Sequence, residues 1–347
     1  MSLRGPLVVS LLAMVVGCSS SGSSGPTGGN GATGNPAPSD GGATGNPGSN
    51  GPADLSTGGK GGGGGSGGGL DAGAPGSPDS GAPAGTSKCG APLDTTAPTA
   101  ASIVQNGPLS VTSYSSGLPA SSAYKSLTVY YPSKGQGPFV VVMISPGLTE
   151  VLQYLQPWAQ RFASYGYVAV FVEANDTSND SEALRADGLW AAIAAIKGEN
   201  TRAGSPLAGK LSNCIVTSGH SLGGGASITI ANAHPNDVKA ALGFNPYDGS
   251  ANFSGIVAPT LILTGQSDGT APPAQHGRRQ YDTMSSSLTK EYVEIQSGSH
   301  QSALSPGTIP GQYAVSWIKL TVDGDTRYRP FLDKAASGLS DFATTLP

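Results

Sequence analysis

The sequence has no basic run, and its formal net charge is −4 over 347 residues. It lacks the electrostatic footprint of a nucleic-acid binder, so no nucleic-acid partner is expected. Histidine is scarce, with four scattered residues. Neither C-x-x-C nor H-E-x-x-H occurs, which leaves a resident metal unsupported. Cysteine is as sparse: Cys18, Cys89 and Cys214 are the three in the chain. The apolar run Leu7–Val16 is too short to span a bilayer.

That run follows Arg4 and ends in Val15-Val16-Gly17-Cys18-Ser19. A short charged region, an apolar stretch and small residues before a cysteine are the pattern of an export signal of the lipoprotein type. Residues 1–17 are expected to be the signal and Cys18 the lipidated new N-terminus, a reading preferred to an ordinary signal cleaved near Gly17, which would leave Cys18 incidental and the protein secreted. The acyl chains would hold the protein to the outer membrane or cell surface. Two cysteines then remain. An exported protein invites a Cys89–Cys214 disulfide. Against that, Cys214 opens an apolar strand, where a free thiol packs as a small hydrophobe. Both readings stand at this point.

Glycine is what the chain has in excess, at 53 residues. Much of it falls in residues 19–87, where Leu55 and Leu70 are the only large apolar side chains. Such a stretch cannot bury enough apolar surface to offset its ordering entropy. Residues 18–96 are therefore read as a tether. Residues 97–347 are long enough for one large folded domain. Within it, apolar strand-like runs alternate with helical spacing. Strands are predicted at Leu127–Tyr131, Phe139–Ser145, Val168–Val172, Ile215–Ser218, Ala240–Phe244, Thr260–Thr264 and Tyr292–Gln296. Helices are predicted at Leu152–Tyr165, Glu182–Lys197, Leu222–Ala233, Ala274–Ser285 and Gln312–Val322. The alternation implies an α/β fold with a mostly parallel sheet and helices on both faces. No apolar insertion long enough to form a lid is present.

The pattern G-x-S-x-G occurs at 64–68, 219–223 and 265–269. The first lies in the tether, with no scaffold to hold a geometry. The second follows the strand-like Cys214–Thr217 and precedes a helix. That is the order a nucleophile elbow requires, and Gly219, Gly223, Gly224 and Gly225 supply the small flanks. The third is followed by Thr270-Ala271-Pro272-Pro273, a loop, so its useful residue is Asp268, just past a strand end. Ser221 is thus the candidate nucleophile and Asp268 the candidate acid, with Asp248 as rival. The base must follow the acid in this chain order. His300 follows a strand and is preferred to His276, which falls at the start of a predicted surface helix. His234 reads as a helix C-terminal cap and His220 as a residue of the cleft wall. Oxyanion amides are expected from Leu222, next after the nucleophile, and from Leu148, in the Pro146–Thr149 turn after the Phe139–Ser145 strand.

With those residues in place, the domain resembles the bacterial cutinase and poly(ethylene terephthalate) hydrolase family of the α/β-hydrolase superfamily. The likeness runs from about Pro98 to about Leu332. It rests on TVYYP at 128–132, PGLT at 146–149, GHSLGGG at 219–225 and NPYDGSANFSGIVAPTLIL at 245–263. SDGTAP at 267–272, GSH at 298–300 and VDGDTRYRPFL at 322–332 complete it. The resemblance implies Ser221, Asp268 and His300 as a catalytic triad, Leu148 and Leu222 as oxyanion donors, and no cofactor. It also implies a substrate cleft touching Leu148, His220, Leu222, Tyr247 and Thr270. Leu148 stands where members carry Tyr or Phe, Tyr247 where they carry Trp, and Leu222 where they carry Met. A disulfide of the PET-hydrolase branch would need cysteines at Gly265 and Ser302. Losing an aromatic wall weakens stacking on terephthalate, so aliphatic polyesters, cutin-like material or short acyl esters are expected to rank above PET. The expectation is an exported, monomeric serine esterase. A small-substrate esterase of the acetyl or dienelactone type is the alternative. A non-catalytic surface-binding module would require a broken triad.

Overall fold

The computed structural model describes residues 88–91, 96–248 and 252–347. The signal, Cys18 and nearly all of the tether lie outside the described residues. Among the described residues, nine strands form one mixed sheet. In chain order they are β1 (Val111–Tyr114), β2 (Ser126–Pro132), β3 (Phe139–Ser145), β4 (Val168–Glu173), β5 (Leu211–His220), β6 (Val238–Phe244), β7 (Thr260–Gly265), β8 (Lys290–Ile295) and β9 (Leu339–Thr344). Their order across the sheet is β1-β2-β4-β3-β5-β6-β7-β8-β9. The six from β4 to β8 are parallel to one another, while β1, β2 and β9 pair antiparallel at the margins. This is the α/β-hydrolase fold.

The central strands are apolar without alternation because both faces are covered. All seven residues of β3 are buried. Its Val140, Val142 and Ile144 pack with α1 (Leu152–Ser164) and α5 (Thr308–Ile318) on one face. Its Phe139, Val141 and Met143 face the opposite layer, made of α2 (Glu182–Glu199), α3 (Leu222–Ala233) and α4 (Gly277–Thr283). On the first face Trp158 stacks on Phe244 with ring centroids 4.2 Å apart. The start of α2 is set by Ser181, whose hydroxyl accepts the Leu184 amide, an ordinary N-cap. No helix among the described residues is long and apolar enough to cross a membrane.

Four expectations need correction. The helix expected at 274–285 begins only at Gly277. The Pro272 and Pro273 carbonyls take the amides of Gln275, His276 and Arg278 in turns, which delays it. The helix expected at 312–322 starts earlier, at Thr308, because Pro310 is tolerated in a first turn. It then widens into a π-turn over Lys319–Asp323. The margin strands β1 and β9 were absent from the sequence reading. Lastly, the folded part begins before Ala97: Ala91 is buried, the Lys88 amide donates to the Asp323 carbonyl, and Cys89 is bonded to Cys214. That disulfide, with a Cα–Cα distance of 6.0 Å, decides between the two readings of Cys214. It lies toward the amino end of β5, away from the strand's carboxyl end.

Candidate active site

β5 runs to His220 and α3 starts at Leu222, so one residue makes the turn. Ser221 holds φ 53° and ψ −121°, a conformation that a side chain tolerates only when its surroundings enforce it. Here they do. The Ser221 amide donates to the Phe244 carbonyl, and its carbonyl accepts the amides of Gly224, Gly225 and Tyr247. The helix starts so close to β3 that a Cβ on Gly223 would stand 2.2 Å from the Ser145 carbonyl oxygen. Glycine at 223 is therefore a steric requirement of the elbow.

The serine hydroxyl lies 2.9 Å from Nε2 of His300, which follows β8. Nδ1 of His300 lies 2.8 Å from Oδ2 of Asp268, which follows β7. Asp268 accepts more than this one contact. Asn245 Nδ2 donates to Oδ2 at 3.0 Å, and the Thr270 and Ala271 amides donate to Oδ1 at 2.9 and 2.7 Å. Burial pushes the Asp268 carboxyl up, but the hydrogen bonds from His300 and the Ala271 amide, with the Asn245 amide group, outweigh it and hold it below the usual carboxylate range. An ionised acid then requires the proton of the contact on Nδ1 of His300, which leaves Nε2 as the acceptor of the Ser221 hydroxyl.

Between β3 and α1 the chain turns through Pro146–Glu150. Arg185 on α2 donates to the Pro146 carbonyl, the Gly147 amide donates to Glu150 Oε2 at 2.6 Å, and the Thr149 amide donates to the Thr177 carbonyl. Leu148 lies between these anchored residues, and its amide donates to no acceptor among the described residues. The Leu222 amide, at the first position of α3, is in the same state. Unpaired donors at a helix start and in a held loop suit a developing anion. Outside glycine, the positive-φ residues among those described are Thr149, Ser221, Asn245 and Ser297. They follow β3, β5, β6 and β8, so the backbone strain gathers at one edge of the sheet.

The remaining sequence-predicted residues divide. Leu148 and Tyr247 are exposed, and Leu222 is half-buried. Thr270 is exposed, and its amide is committed to Asp268. His220 does not line the cleft: it is fully buried, with its ring between Glu150 and the His300 carbonyl. The reason is that β5 extends through it, which turns the side chain under the elbow. His276 is not on a helix surface either. It is buried and stacks on Tyr247 with centroids 4.4 Å apart, and burial lowers its pKa. His234 is the C-cap of α3. The acid in contact with His300 is Asp268; the Asp248 carbonyl instead accepts from Gln280. Sequence reading missed Glu150 and Asn245. Asn245 directly follows β6 as a polar residue after an apolar run, and that placement was the available signal; Glu150 lies beyond the loop after β3, next to Thr149, and carried none.

A family model described as PET hydrolase-like matches residues 91–345. Cutinase 1 of Thermobifida cellulosilytica is 33% identical over 228 residues, covering 65% of this chain and 85% of that one. A cutinase of Thermobifida fusca (strain YX) is 33% identical over 228 residues, 65% of this chain and 74% of its own. The bis(hydroxyethyl) terephthalate hydrolase of Streptomyces coelicolor is 32% identical over 238 residues, 68% of this chain and 75% of its own.

Proposed function

The chain belongs to the PET hydrolase-like family, and from that membership we propose that it is a serine carboxylester hydrolase that cleaves polyesters through an acyl-enzyme. One observation carries the residue roles: the hydrogen-bonded line from Asp268 through His300 to Ser221 runs beside two backbone amides without partners.

In the proposed reaction His300 Nε2 takes the Ser221 proton as Oγ attacks the ester carbonyl carbon. Asp268 keeps the proton on Nδ1 and stabilises the imidazolium that forms. The Leu148 and Leu222 amides receive the oxyanion, each worth roughly 10²–10³ in rate. The imidazolium then protonates the leaving alcohol, and the carbonyl re-forms as the acyl-enzyme. A water, deprotonated by the same histidine, attacks that ester; the acid leaves and Ser221 regains its proton.

The names of the relatives, cutinase and bis(hydroxyethyl) terephthalate hydrolase, support a polyester or its fragments as the substrate here. Leu148 and Tyr247 flank the site as one aliphatic and one aromatic exposed side chain, which favours aliphatic chains. Export and anchoring through Cys18 belong to the same proposal, supported by the Leu7–Cys18 sequence. The anchored domain would reach an insoluble substrate on its tether. Cys18→Ala should shift the enzyme from the membrane fraction to the soluble one.

The test is clearing of an aliphatic polyester emulsion, with Ser221→Ala as control and p-nitrophenyl esters of increasing chain length alongside. Clearing that disappears in the variant is expected. Turnover of p-nitrophenyl acetate without clearing would assign a small-substrate esterase instead.

A further inference from the structure

The proposed chemistry sits on two loops, one after β3 and one after β8, and a single buried carboxylate reaches both. Oε2 of Glu150 accepts the Gly147 amide at 2.6 Å. Its Oε1 lies 2.6 Å from Nδ1 of His220. Across that ring, Nε2 lies 2.7 Å from the carbonyl oxygen of His300. His220 is fully buried and Glu150 nearly so.

The protons in this chain are fixed by what each atom can do. A carbonyl oxygen only accepts, so Nε2 of His220 carries a proton. A carboxylate oxygen and a ring nitrogen at 2.6 Å share one more proton between them. Whichever of the two holds it, the Glu150–His220 pair is neutral overall. Its polar atoms are not among the buried atoms left without a partner. A paired, satisfied network of this kind specifies one arrangement, whereas a half-satisfied one is costly.

Neither residue touches Ser221 Oγ or Asp268, so the reaction above does not use them chemically. What they join is the amide of the residue before Leu148 and the backbone of the base itself. The other side of the base loop is already held by Asn245, which donates to the Ser299 carbonyl and accepts the Ala303 amide. We infer that Glu150 and His220 are a positioning pair that locks the oxyanion loop and the base loop into one frame. This rests on the serine-esterase reading.

Without the Glu150 carboxylate, Gly147 loses its acceptor and His220 its partner, so the two loops can shift independently. A displacement near 1 Å at reacting groups costs on the order of 10²-fold in rate. Glu150→Ala in the full chain should lower kcat by about 10- to 100-fold, with KM for a soluble p-nitrophenyl ester within about threefold. Glu150→Gln can accept from Gly147 and donate to Nδ1 of His220, so it should recover most of that loss. A folded Glu150→Ala variant with parental kcat, or one that changes KM alone, overturns the inference. So does a Glu150→Gln variant as slow as the alanine one. Should the alanine variant not fold, the parent still decides. Among its four ¹⁵N-labelled histidines, one must show a solvent-protected Nε2 proton in contact with the His300–Gln301 backbone, and absence of that signal overturns the pair. Ser221→Ala separates the two claims. If it stays active, the esterase reading fails; if it is inactive while Glu150→Ala is fully active, only the positioning pair fails.

Discussion

A Cβ placed on Gly147 would stand 2.8 Å from the Cβ of Ser221 and 3.0 Å from the Glu150 carboxyl. The loop Pro146–Glu150 and Ser221 therefore approach each other through a position that admits no side chain. Gly147→Ala must push the loop away and carry the Leu148 amide with it. We expect kcat to fall about 10²-fold, the scale of losing one oxyanion donor, while KM for a soluble ester changes little. Steady-state kinetics with p-nitrophenyl butyrate check this.

The Cys89–Cys214 bond closes a loop across a sequence separation of 125 and ties residues 88–91 to the domain. A bond of this kind typically contributes about 2–4 kcal/mol. In a domain of this size that corresponds to roughly 5–15 °C in Tm. The double substitution Cys89→Ser with Cys214→Ser should melt lower by that amount. Because the bond is remote from the carboxyl edge of the sheet, kcat at 25 °C should be retained. Thermal denaturation and an ester assay on the same sample measure both.

Much of this was readable beforehand, for a physical reason. Strands such as β3 and β7 are buried on both faces, so they announce themselves as apolar runs, and glycine at the elbow is forced by close contact with β3. Ser221, Asp268 and His300 could then be placed from chain order and strand ends. What could not be read depends on contacts between segments distant in sequence. β1 and β9 are margin strands with half-buried, mixed residues. His220 was placed on the cleft wall because a sequence does not say how far β5 runs. Glu150 meets His220 across a separation of 70 residues, and Asn245 meets Asp268 across 23.

Glu291 on β8 is fully buried, with one hydrogen bond from Thr344 and no partner at Oε1. Burial pushes its carboxyl up to about 8, from 4.5 in the unfolded chain. The folded protein thus keeps a proton that the unfolded chain gives up above pH 4.5. The Glu291 contribution to stability should fall as pH rises from about 4.5 toward 8 and level off beyond. Glu291→Gln removes this dependence. It should raise Tm at pH 8 by on the order of 10 °C, and the gain should shrink to nothing near pH 4. Melting curves across that range decide it, and a gain independent of pH would refute it.

Leu148 is 51% exposed beside the site, and Tyr247, 40% exposed, is stacked on His276. Leu148→Tyr adds a second aromatic surface for a terephthalate ring. Such contacts are worth about 0.5–1.5 kcal/mol. Terephthalate release from PET should therefore rise about 2- to 12-fold relative to hydrolysis of an aliphatic polyester. Product release from matched films of the two polymers gives the ratio directly.

We propose that Ser221 attacks the ester as a nucleophile activated by His300. The most direct measurement is titration of the full chain with a p-nitrophenyl alkylphosphonate, followed by mass spectrometry of the peptides. One p-nitrophenolate should be released per chain, with loss of esterase activity in step and the phosphonyl group on the peptide carrying Ser221. No label should appear on Ser221→Ala, and His300→Ala should label far more slowly. Label on another residue, or an active enzyme that resists the reagent, would contradict it.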